Sequence, residues 1–315
     1  MIKGKSFPAL KYCLVFFAWL IILLHPAYSQ DSIGFWDRAP EQIPQRVRGV
    51  AIGLGSAYAV SMIGLYSLWY KDYPSSSFHT FNDNDEWLQM DKAGHFGSAY
   101  YLSNWGINLF QWTGMNEKKA TWIGGASGLA FLTTIEVFDG FSSEWGFSWG
   151  DMIANTTGSA LAVGQELAWK EQRIKIRFSW HPTDYSDYNP QILGDGFPET
   201  LIKDYNGQTY WASANIYSFL PGESRFPKWL NIAIGYGAEG MTRAGTDPSD
   251  TEIPGTPEFE RYRQFYIAPD IDLSKFKTNN RVLKTFFGVI GCIKFPTPAL
   301  EINGNDQIKF HWFYF

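Results

Sequence analysis

The hydrophobic period of the chain changes once, near Lys170, and this change constrains the fold more than any other feature. Before that point, apolar segments of helical length are joined by short loops; they occupy residues 50–70, about 86–112, 120–138 and about 151–169. Beyond it, apolar and polar residues alternate as in strands, with Ile174, Ile176 and Phe178 set against Lys175 and Arg177. The sequence therefore predicts an α+β protein, with an antiparallel bundle of about four apolar helices in residues 48–170 and a β-rich region in residues 171–315.

The β-rich region is consistent with two architectures. We count six or seven strand-like segments, whereas bacterial outer-membrane barrels have an even number of at least eight strands. The chain ends in Phe315, as outer-membrane barrels often do, but Lys309 and His311 fall on the same strand face as Phe313. A sheet packed on the helices explains the alternation as well as a barrel-like closure does, so both stay open.

The first 29 residues have the three parts of an export signal. Three lysines precede an uncharged apolar core at residues 13–24, which is shorter than the roughly 20 residues that a membrane span needs. Ala27 and Ser29 are the small residues that a signal peptidase reads, so we expect cleavage before Gln30 and a polar linker at residues 30–47. Cys13 lies at the start of the apolar core, where a lipid-accepting cysteine is not expected.

Composition limits the partners of the mature chain. Removing three lysines and no acid changes the net charge from −5 to −8, which argues against a nucleic-acid surface. Only Cys292 remains after cleavage, so no intramolecular disulfide is expected. Aromatic residues make up 18% of the chain, a share that suits a membrane interface and would also suit a sugar-stacking surface. We therefore expect a membrane or an envelope lipid as partner.

The distribution of basic residues argues against insertion of the helices into the inner membrane. With the N-terminus outside after export, the basic residues would almost all lie on the outer side, contrary to the positive-inside rule; they are Arg46, Arg48, Lys118, Lys119, Lys170 and Arg173. We expect a periplasm-facing bundle associated with the outer membrane. The uncharged segment 50–70, which is long enough to span a bilayer, is the counter-evidence.

Three helical segments each carry a pair of polar residues at helical spacing. The pairs are Asp91 with His95, Glu136 with Asp139, and Asp151 with Asn155. Residues three or four apart share a helix face, and short loops make consecutive helices antiparallel. The start of the second helix, the end of the third and the start of the fourth should therefore meet at one corner, together with Lys92.

This corner has a functional and a structural interpretation. Carboxylates beside an imidazole bind divalent metals or act as general acids and bases. We therefore take His95, Glu136, Asp139 and Asp151 as candidate catalytic residues, supported by Asp91, Lys92 and Asn155; the candidate ligands of a divalent metal are His95, Asp91, Glu136 and Asp139. Alternatively, Asp91 and Asp151 only begin helices, Ser148 caps the fourth one, and Lys92 forms an ordinary salt bridge.

The same residues carry a family resemblance. The segments Asp91-Lys92-Ala93-Gly94-His95, Glu136-x-x-Asp139 and Gly150-Asp151-Met152-x-Ala154-Asn155-x-x-Gly158 resemble the YfiM-like family of predicted periplasmic lipoproteins, and more distantly VanZ-type membrane proteins. The resemblance covers residues 86–165 and implies a YfiM-like helical domain and an envelope location. It implies no reaction, because the YfiM-like family has no established function.

Two hypotheses follow for the function. In the first, the chain has a structural or scaffolding role at a membrane of the envelope, and the polar corner only holds helices together. In the second, it is a hydrolase or transferase that acts on an envelope lipid or glycan through that corner, with metal assistance. An enzyme requires the corner to open into a cleft, whereas a scaffold would bury it in paired salt bridges.

Overall fold

A computed structural model describes residues 33–71, 73–222, 224–245, 257, 259–305 and 307–315. The predicted signal peptide at residues 1–29 lies outside these ranges. Within them, helices precede a six-stranded antiparallel sheet, so the prediction of an α+β fold is confirmed.

Four long helices lie within residues 44–169. They are α1 (Pro44–Leu65), α2 (Met90–Trp112), α3 (Glu117–Gly140) and α4 (Trp149–Trp169). Helix α1 continues as one π-helical turn over Tyr66–Tyr70, and the side chains of Asn116 and Ser148 cap α3 and α4 by accepting from the backbone N–H groups of Lys119 and Asp151. The cap at Ser148 was predicted from the sequence.

Helix α2 begins four residues later than the sequence predicts. Trp87, Leu88 and Gln89 have φ values of 49°, 48° and 63°, which no α-helix contains. Tertiary contacts hold this left-handed segment: the backbone N–H of Trp87 donates to Ala244 at 3.0 Å, and the hydroxyl of Tyr236 donates to the carbonyl of Leu88. Contacts with the β-rich half therefore override the helical pattern before Met90.

Small residues let helix α2 approach both of its neighbours closely. A Cβ atom on Gly124 of α3 would lie 2.2 Å from the backbone nitrogen of Ile107 on α2. A Cβ atom on Gly158 of α4 would lie 2.2 Å from the carbonyl oxygen of Phe96 on α2. Since real Cβ contacts do not occur at such distances, glycine is required where these backbones meet.

The second half of the chain is a meander of six antiparallel strands. They are β1 (Ile174–Trp180), β2 (Gln208–Asn215), β3 (Leu230–Glu239), β4 (Tyr262–Ile271), β5 (Thr297–Asn303) and β6 (Ile308–Tyr314). The sheet is not closed: among the described residues, β1 and β6 form no ladder with each other, so the barrel-like closure left open by the sequence is wrong. A single bridge joins Phe178 to Ile293 just before β5.

Three shorter α-helices lie between the strands in the part of the chain that the structure describes. They are α5 (Pro190–Leu193) and α6 (Glu199–Lys203) before β2, and α7 (Arg281–Val289) between β4 and β5. Helix α7 is strongly amphipathic and has no buried residue, and Val282, Phe286 and Val289 on its apolar face are all more than half exposed.

The sheet curls so strongly that side chains from distant strands meet on its inner face. Nε of Arg177 on β1 lies 3.1 Å from Oδ2 of Asp270 on β4, and Oγ1 of Thr209 on β2 lies 3.0 Å from the hydroxyl of Tyr314 on β6. The buried inner face is largely polar, and it includes Arg177, Ser179, Thr209, Ser213, Asn231, Gln264, Asp270, Glu301 and Asn303.

The outer face of the same sheet is apolar. Its exposed side chains on strands β3 to β6 are Ile232, Ile234, Phe265, Ile267, Leu300, Ile302, Ile308, Phe310 and Trp312. Helix α2 covers the β1 and β2 end of this face, where Ile176 packs against Tyr100 and Ile107. An antiparallel sheet in a water-soluble domain usually has the opposite arrangement, with its apolar face against the core.

Helix α1 is the least packed of the four long helices. Among the described residues it is the one helix long and apolar enough to cross a membrane by length and composition, and only 11% of its most apolar window is buried. Its few contacts with the bundle include Val50, which packs against Phe110 and Met115.

Candidate functional site

The bundle brings the predicted polar pairs together at one end. The acid–histidine cluster, as we name it, lies where α2 and α4 begin and α3 ends, and it comprises Asp83, Asp91, Lys92, His95, Glu136, Asp151 and Asn155. The antiparallel topology and the helical spacing of the pairs produce this arrangement.

His95 lies at the centre of the cluster. Its Nδ1 atom is 3.1 Å from Oδ1 of Asn155 and 3.5 Å from Oε1 of Glu136. Its Nε2 atom is 3.7 Å from Oδ1 of Asp91. Because the Asn155 oxygen can only accept, Nδ1 carries the hydrogen in this arrangement, and the lone pair of a neutral imidazole would then face Asp91.

Lys92 binds three carboxylates at once. Its Nζ atom lies 2.7 Å from Oδ1 of Asp83, 3.2 Å from Oδ2 of Asp91 and 3.0 Å from Oδ1 of Asp151. Burial would lower the pKa of this ammonium group, but the three carboxylates raise it, so Lys92 stays charged. The ion pairs connect the loop before α2 with the starts of α2 and α4.

Glu136 and Asp151 are buried acids. Burial raises the pKa of Glu136 to about 8, and it raises the pKa of Asp151 to about 7 with the help of the negative charge on Asp91. Oε2 of Glu136 accepts from the backbone N–H of Ser148 at 3.2 Å, whereas Oε1 of Glu136 and Oδ1 of Asp151 have no hydrogen-bond partner among the described residues.

His95 and Asp91 have pKa shifts of opposite sign. Burial alone would lower the pKa of His95, but the carboxylates of Asp91, Asp151 and Glu136 raise it above its ordinary value. Burial would raise the pKa of Asp91, but the positive charges of His95 and Lys92 hold it below its ordinary value. The excess of carboxylates over basic groups makes the cluster attractive to a cation.

Asp139 lies beside the cluster and has a different partner. Its Oδ1 atom accepts from the hydroxyl of Tyr70 at 2.6 Å, at the end of the π-helical turn after α1. Burial raises the pKa of Asp139 to about 6. Of the candidate site residues, Asp139 is therefore the one that is hydrogen-bonded to the turn that follows α1.

Three contacting residues were not found by sequence reasoning. Asp83 pairs with Lys92 and accepts from Oγ of Ser148 at 2.7 Å, and Tyr205 donates to Oδ1 of Asp91 at 2.8 Å. Asp83 lies in a loop without helical spacing, and Tyr205 is 114 residues from Asp91, so no local pattern links either residue to the cluster. The sequence indicates Ser148 only as a helix cap.

A metal ion would find its ligands on α2 and α4. Asp91, His95 and Asp151 each offer one ligand atom, and these three atoms lie within 4.8 Å of one another. Two of them were predicted as metal ligands, and Asp151 was predicted as a catalytic residue. Glu136, also predicted as a ligand, faces Nδ1 of His95 rather than Nε2.

The cluster is more enclosed than a catalytic cleft would require. The side chain of Glu136 is 1% exposed and that of Asp151 5%, whereas His95 and Asp91 are 17% and 21% exposed. Two surface cavities lie elsewhere. One of about 420 Å³ adjoins residues 38–40 and 114–117, and one of about 320 Å³ at an end of the sheet is lined by Glu301 and His311.

The segment that carries the cluster is the part of the chain that matches a known family. Residues 79–165 match a family model described as "Predicted periplasmic lipoprotein (DUF2279)". The match spans just over a quarter of the chain and supports an exported, periplasmic protein of a family of unknown function. Searches of curated proteins and of solved structures found no match.

Proposed function

We propose that the mature chain is an exported envelope protein that associates with a membrane through the outer face of its sheet and has a structural or scaffolding role there. One observation carries the proposal: the sheet buries charged and polar side chains and exposes aliphatic and aromatic ones. This polarity is favourable when the outer face lies against lipid, as it does in proteins whose sheets contact hydrocarbon.

Lipid explains the surface better than a protein partner does. The exposed apolar face continues over four strands, from Ile232 on β3 to Trp312 on β6, whereas protein-binding patches have a polar rim around a compact core. Helix α7 supports the same assignment, because its apolar face and its basic residues Arg281 and Lys284 are typical of helices that lie in a membrane interface.

The outer membrane is the favoured location. The basic residues that flank the helices would lie on the wrong side of the inner membrane, as the sequence indicated, and the family match supports a periplasmic protein. We also propose that residues 86–165 are related to YfiM-like and VanZ-type proteins. This relationship rests on the three motifs around His95, Glu136 and Asp151.

A structural role suits the geometry of the cluster better than a catalytic one. Lys92 is already paired with three carboxylates, and Tyr205 connects Asp91 with the β-rich half. The hydrolase or transferase alternative uses the same residues, but it requires a path for a lipid or glycan to Glu136 and Asp151, which are almost fully buried.

Vesicle flotation tests membrane association directly. The purified mature protein is mixed with vesicles of phosphatidylethanolamine and phosphatidylglycerol and floated through a density gradient. We compare it with a double variant, Ile234→Lys with Ile267→Lys, at two exposed positions that pair across β3 and β4. Replacing two isoleucines that the membrane would bury should lower vesicle partitioning at least about tenfold, since burial of each contributes roughly 1.5–3 kcal/mol.

The matched control adds the same charge elsewhere. Gln42→Lys with Gln307→Lys introduces two lysines at exposed polar positions outside the strands. This control should float with the wild-type protein. If the wild-type protein stays at the bottom of the gradient, or if both double variants float equally well, the outer face of the sheet is not a membrane-binding surface.

A further inference from the structure

We propose that Asp91, His95 and Asp151 bind one divalent transition-metal ion, which clamps the start of helix α2 to the start of helix α4. This inference goes beyond the membrane-associated role and does not depend on it. A metal site needs only the helical half of the chain, whereas membrane association was argued from the sheet.

The first argument is the spacing of the three ligand atoms. One nitrogen of His95 and one oxygen from each aspartate lie within 4.8 Å of one another, and Nε2 of His95 is 3.7 Å from Oδ1 of Asp91. Ligands about 2.0–2.2 Å from a common zinc ion are separated by roughly 3–4.4 Å, so small side-chain movements would complete the site.

The second argument is that two buried carboxylate oxygens in the cluster accept no hydrogen bond among the described residues. Oε1 of Glu136 and Oδ1 of Asp151 accept no hydrogen bond among the described residues, and both side chains are more than nine-tenths buried. Lys92 lies 3.0 Å from this Asp151 oxygen, but it is shared with Asp83 and Asp91. An unsatisfied buried carboxylate oxygen is costly, and a cation bound to Asp151 would remove that cost there.

The third argument is the orientation of the imidazole. Nδ1 of His95 faces the amide oxygen of Asn155, which fixes the hydrogen on that nitrogen. Nε2 then directs its lone pair toward the carboxylate of Asp91, an arrangement in which two acceptors face each other unless a cation lies between them. Metal-binding histidines usually have their second nitrogen held by such an oxygen acceptor, which sets the tautomer.

The charge of the surroundings favours a divalent ion. The groups that face the three ligands are Asp83 from the preceding loop, Lys92 on α2, Glu136 and Asp139 on α3, and Tyr205 from the β-rich half. Only Lys92 among these is a permanent cation, whereas three of them are carboxyl groups, and the ligands Asp91 and Asp151 bring the carboxyl groups to five. A divalent ion would neutralise the negative charge of the carboxylates that a single ammonium group does not balance.

The ligand set selects the class of metal. One imidazole nitrogen with two carboxylate oxygens suits Zn²⁺ or Mn²⁺, whereas Ca²⁺ and Mg²⁺ prefer oxygen ligands alone. His95 and Asp91 are the most exposed members of the set, at 17% and 21%, which leaves an entry path on their side. Three protein ligands leave one coordination position for water.

Metal content tests the proposal without an activity assay. The purified mature protein is stripped with a chelator, incubated with ZnCl₂ or MnCl₂, dialysed and analysed by elemental mass spectrometry. We expect about one metal ion per chain and a higher melting temperature in the loaded protein, since an ion that binds only the folded state stabilises it.

Two ligand variants and a control make the result specific. Asp151→Asn keeps the shape of the side chain and leaves the cap on its backbone N–H in place, so it should fold but lose the metal. His95→Ala should lose it as well. His79→Ala removes a histidine outside the three-ligand set and should bind metal as the wild-type protein does.

The outcomes are distinct. Loss of metal in Asp151→Asn with wild-type content in His79→Ala supports the site. A metal-free wild-type protein after loading, or equal metal content in all four proteins, overturns it and leaves a proton on His95 as the balancing charge. Neither result bears on vesicle flotation, so the two proposals fail separately.

Discussion

Arg177 on β1 and Asp270 on β4 form an ion pair across the inner face of the sheet, although two strands separate them in the ladder. Both side chains are at most 1% exposed. Oδ2 of Asp270 also accepts from the hydroxyl of Ser213 at 2.6 Å. The ion pair therefore shows that the sheet is curled, because a flat sheet would keep these two side chains apart.

Removing the arginine should unfold the sheet at lower denaturant concentration. Arg177→Met leaves Asp270 buried without its principal partner, and the free energy of unfolding should fall by roughly 3–5 kcal/mol. Urea denaturation followed by tryptophan fluorescence measures this. The double variant Arg177→Met with Asp270→Leu should recover part of the loss, and Arg225→Met, at an exposed position, should change little. If Arg177→Met lowers the free energy of unfolding no more than Arg225→Met does, the sheet does not curl enough to pair Arg177 with Asp270.

Asp272 should make the stability depend on pH in the acid range. Burial would raise the pKa of its carboxyl group, but Lys175 and Arg177 hold it below the ordinary value of 3.8. Because the pKa is lower in the folded state, its contribution is fully present above pH 3.8 and is lost as the pH falls through the folded-state pKa.

The matched variant is Asp272→Asn, which can still accept the hydrogen bond from the backbone N–H of Ser274. The free energy of unfolding, measured by urea titration between about pH 2 and 6, should fall less steeply with acid in this variant than in the wild-type protein. Identical slopes would show that the Lys175 and Arg177 pairs do not stabilise the charged carboxylate.

Two glycines on α4 should respond oppositely to alanine. Gly158→Ala places a Cβ atom 2.2 Å from the carbonyl oxygen of Phe96, so α2 and α4 must separate, at a cost of about 1–3 kcal/mol. Gly164→Ala meets no atom within 4 Å and should stabilise the helix by up to about 1 kcal/mol. Thermal melting of both variants measures the difference. If both raise the melting temperature, the two backbones do not meet at Gly158.

Helix α7 should contribute to vesicle binding independently of the sheet. Phe286 lies on its apolar face, 52% exposed, whereas Thr285 lies on its polar face. Phe286→Asn should reduce partitioning into vesicles that contain phosphatidylglycerol by about tenfold, the effect of losing roughly 1.5–3 kcal/mol of aromatic burial. Thr285→Asn is the control and should bind like the wild-type protein. Equal binding of the two variants would show that α7 stays in water.

The helical half could be predicted because its information is local. The spacing of Asp91 with His95 and of Asp151 with Asn155 fixes which residues share a helix face, and the loops around α3 are too short to allow a parallel arrangement. The contact of Tyr205 with Asp91 could not be predicted, because it depends on how the two halves of the chain dock.

The sheet was predictable in its strands but not in its polarity. Alternation in β3 places Ile232 and Ile234 on one face and Asn231 and Ala233 on the other. The same pattern would result whichever of the two faces is buried. The outcome depends on long-range partners such as Asp270, which gives Arg177 a buried counter-charge. The pattern of a single strand does not contain that information.

The edge strand β6 has a consequence for the newly exported chain. Among the residues that the structure describes it pairs with β5 alone, and its free backbone groups are flanked by the exposed side chains of Phe310 and Trp312. An unpaired edge of this kind is a template on which a second chain adds a strand, and Lys309 and His311 interrupt its apolar character. We therefore expect the exported protein to aggregate readily while this edge is uncovered, so its yield should depend on how quickly the edge is covered.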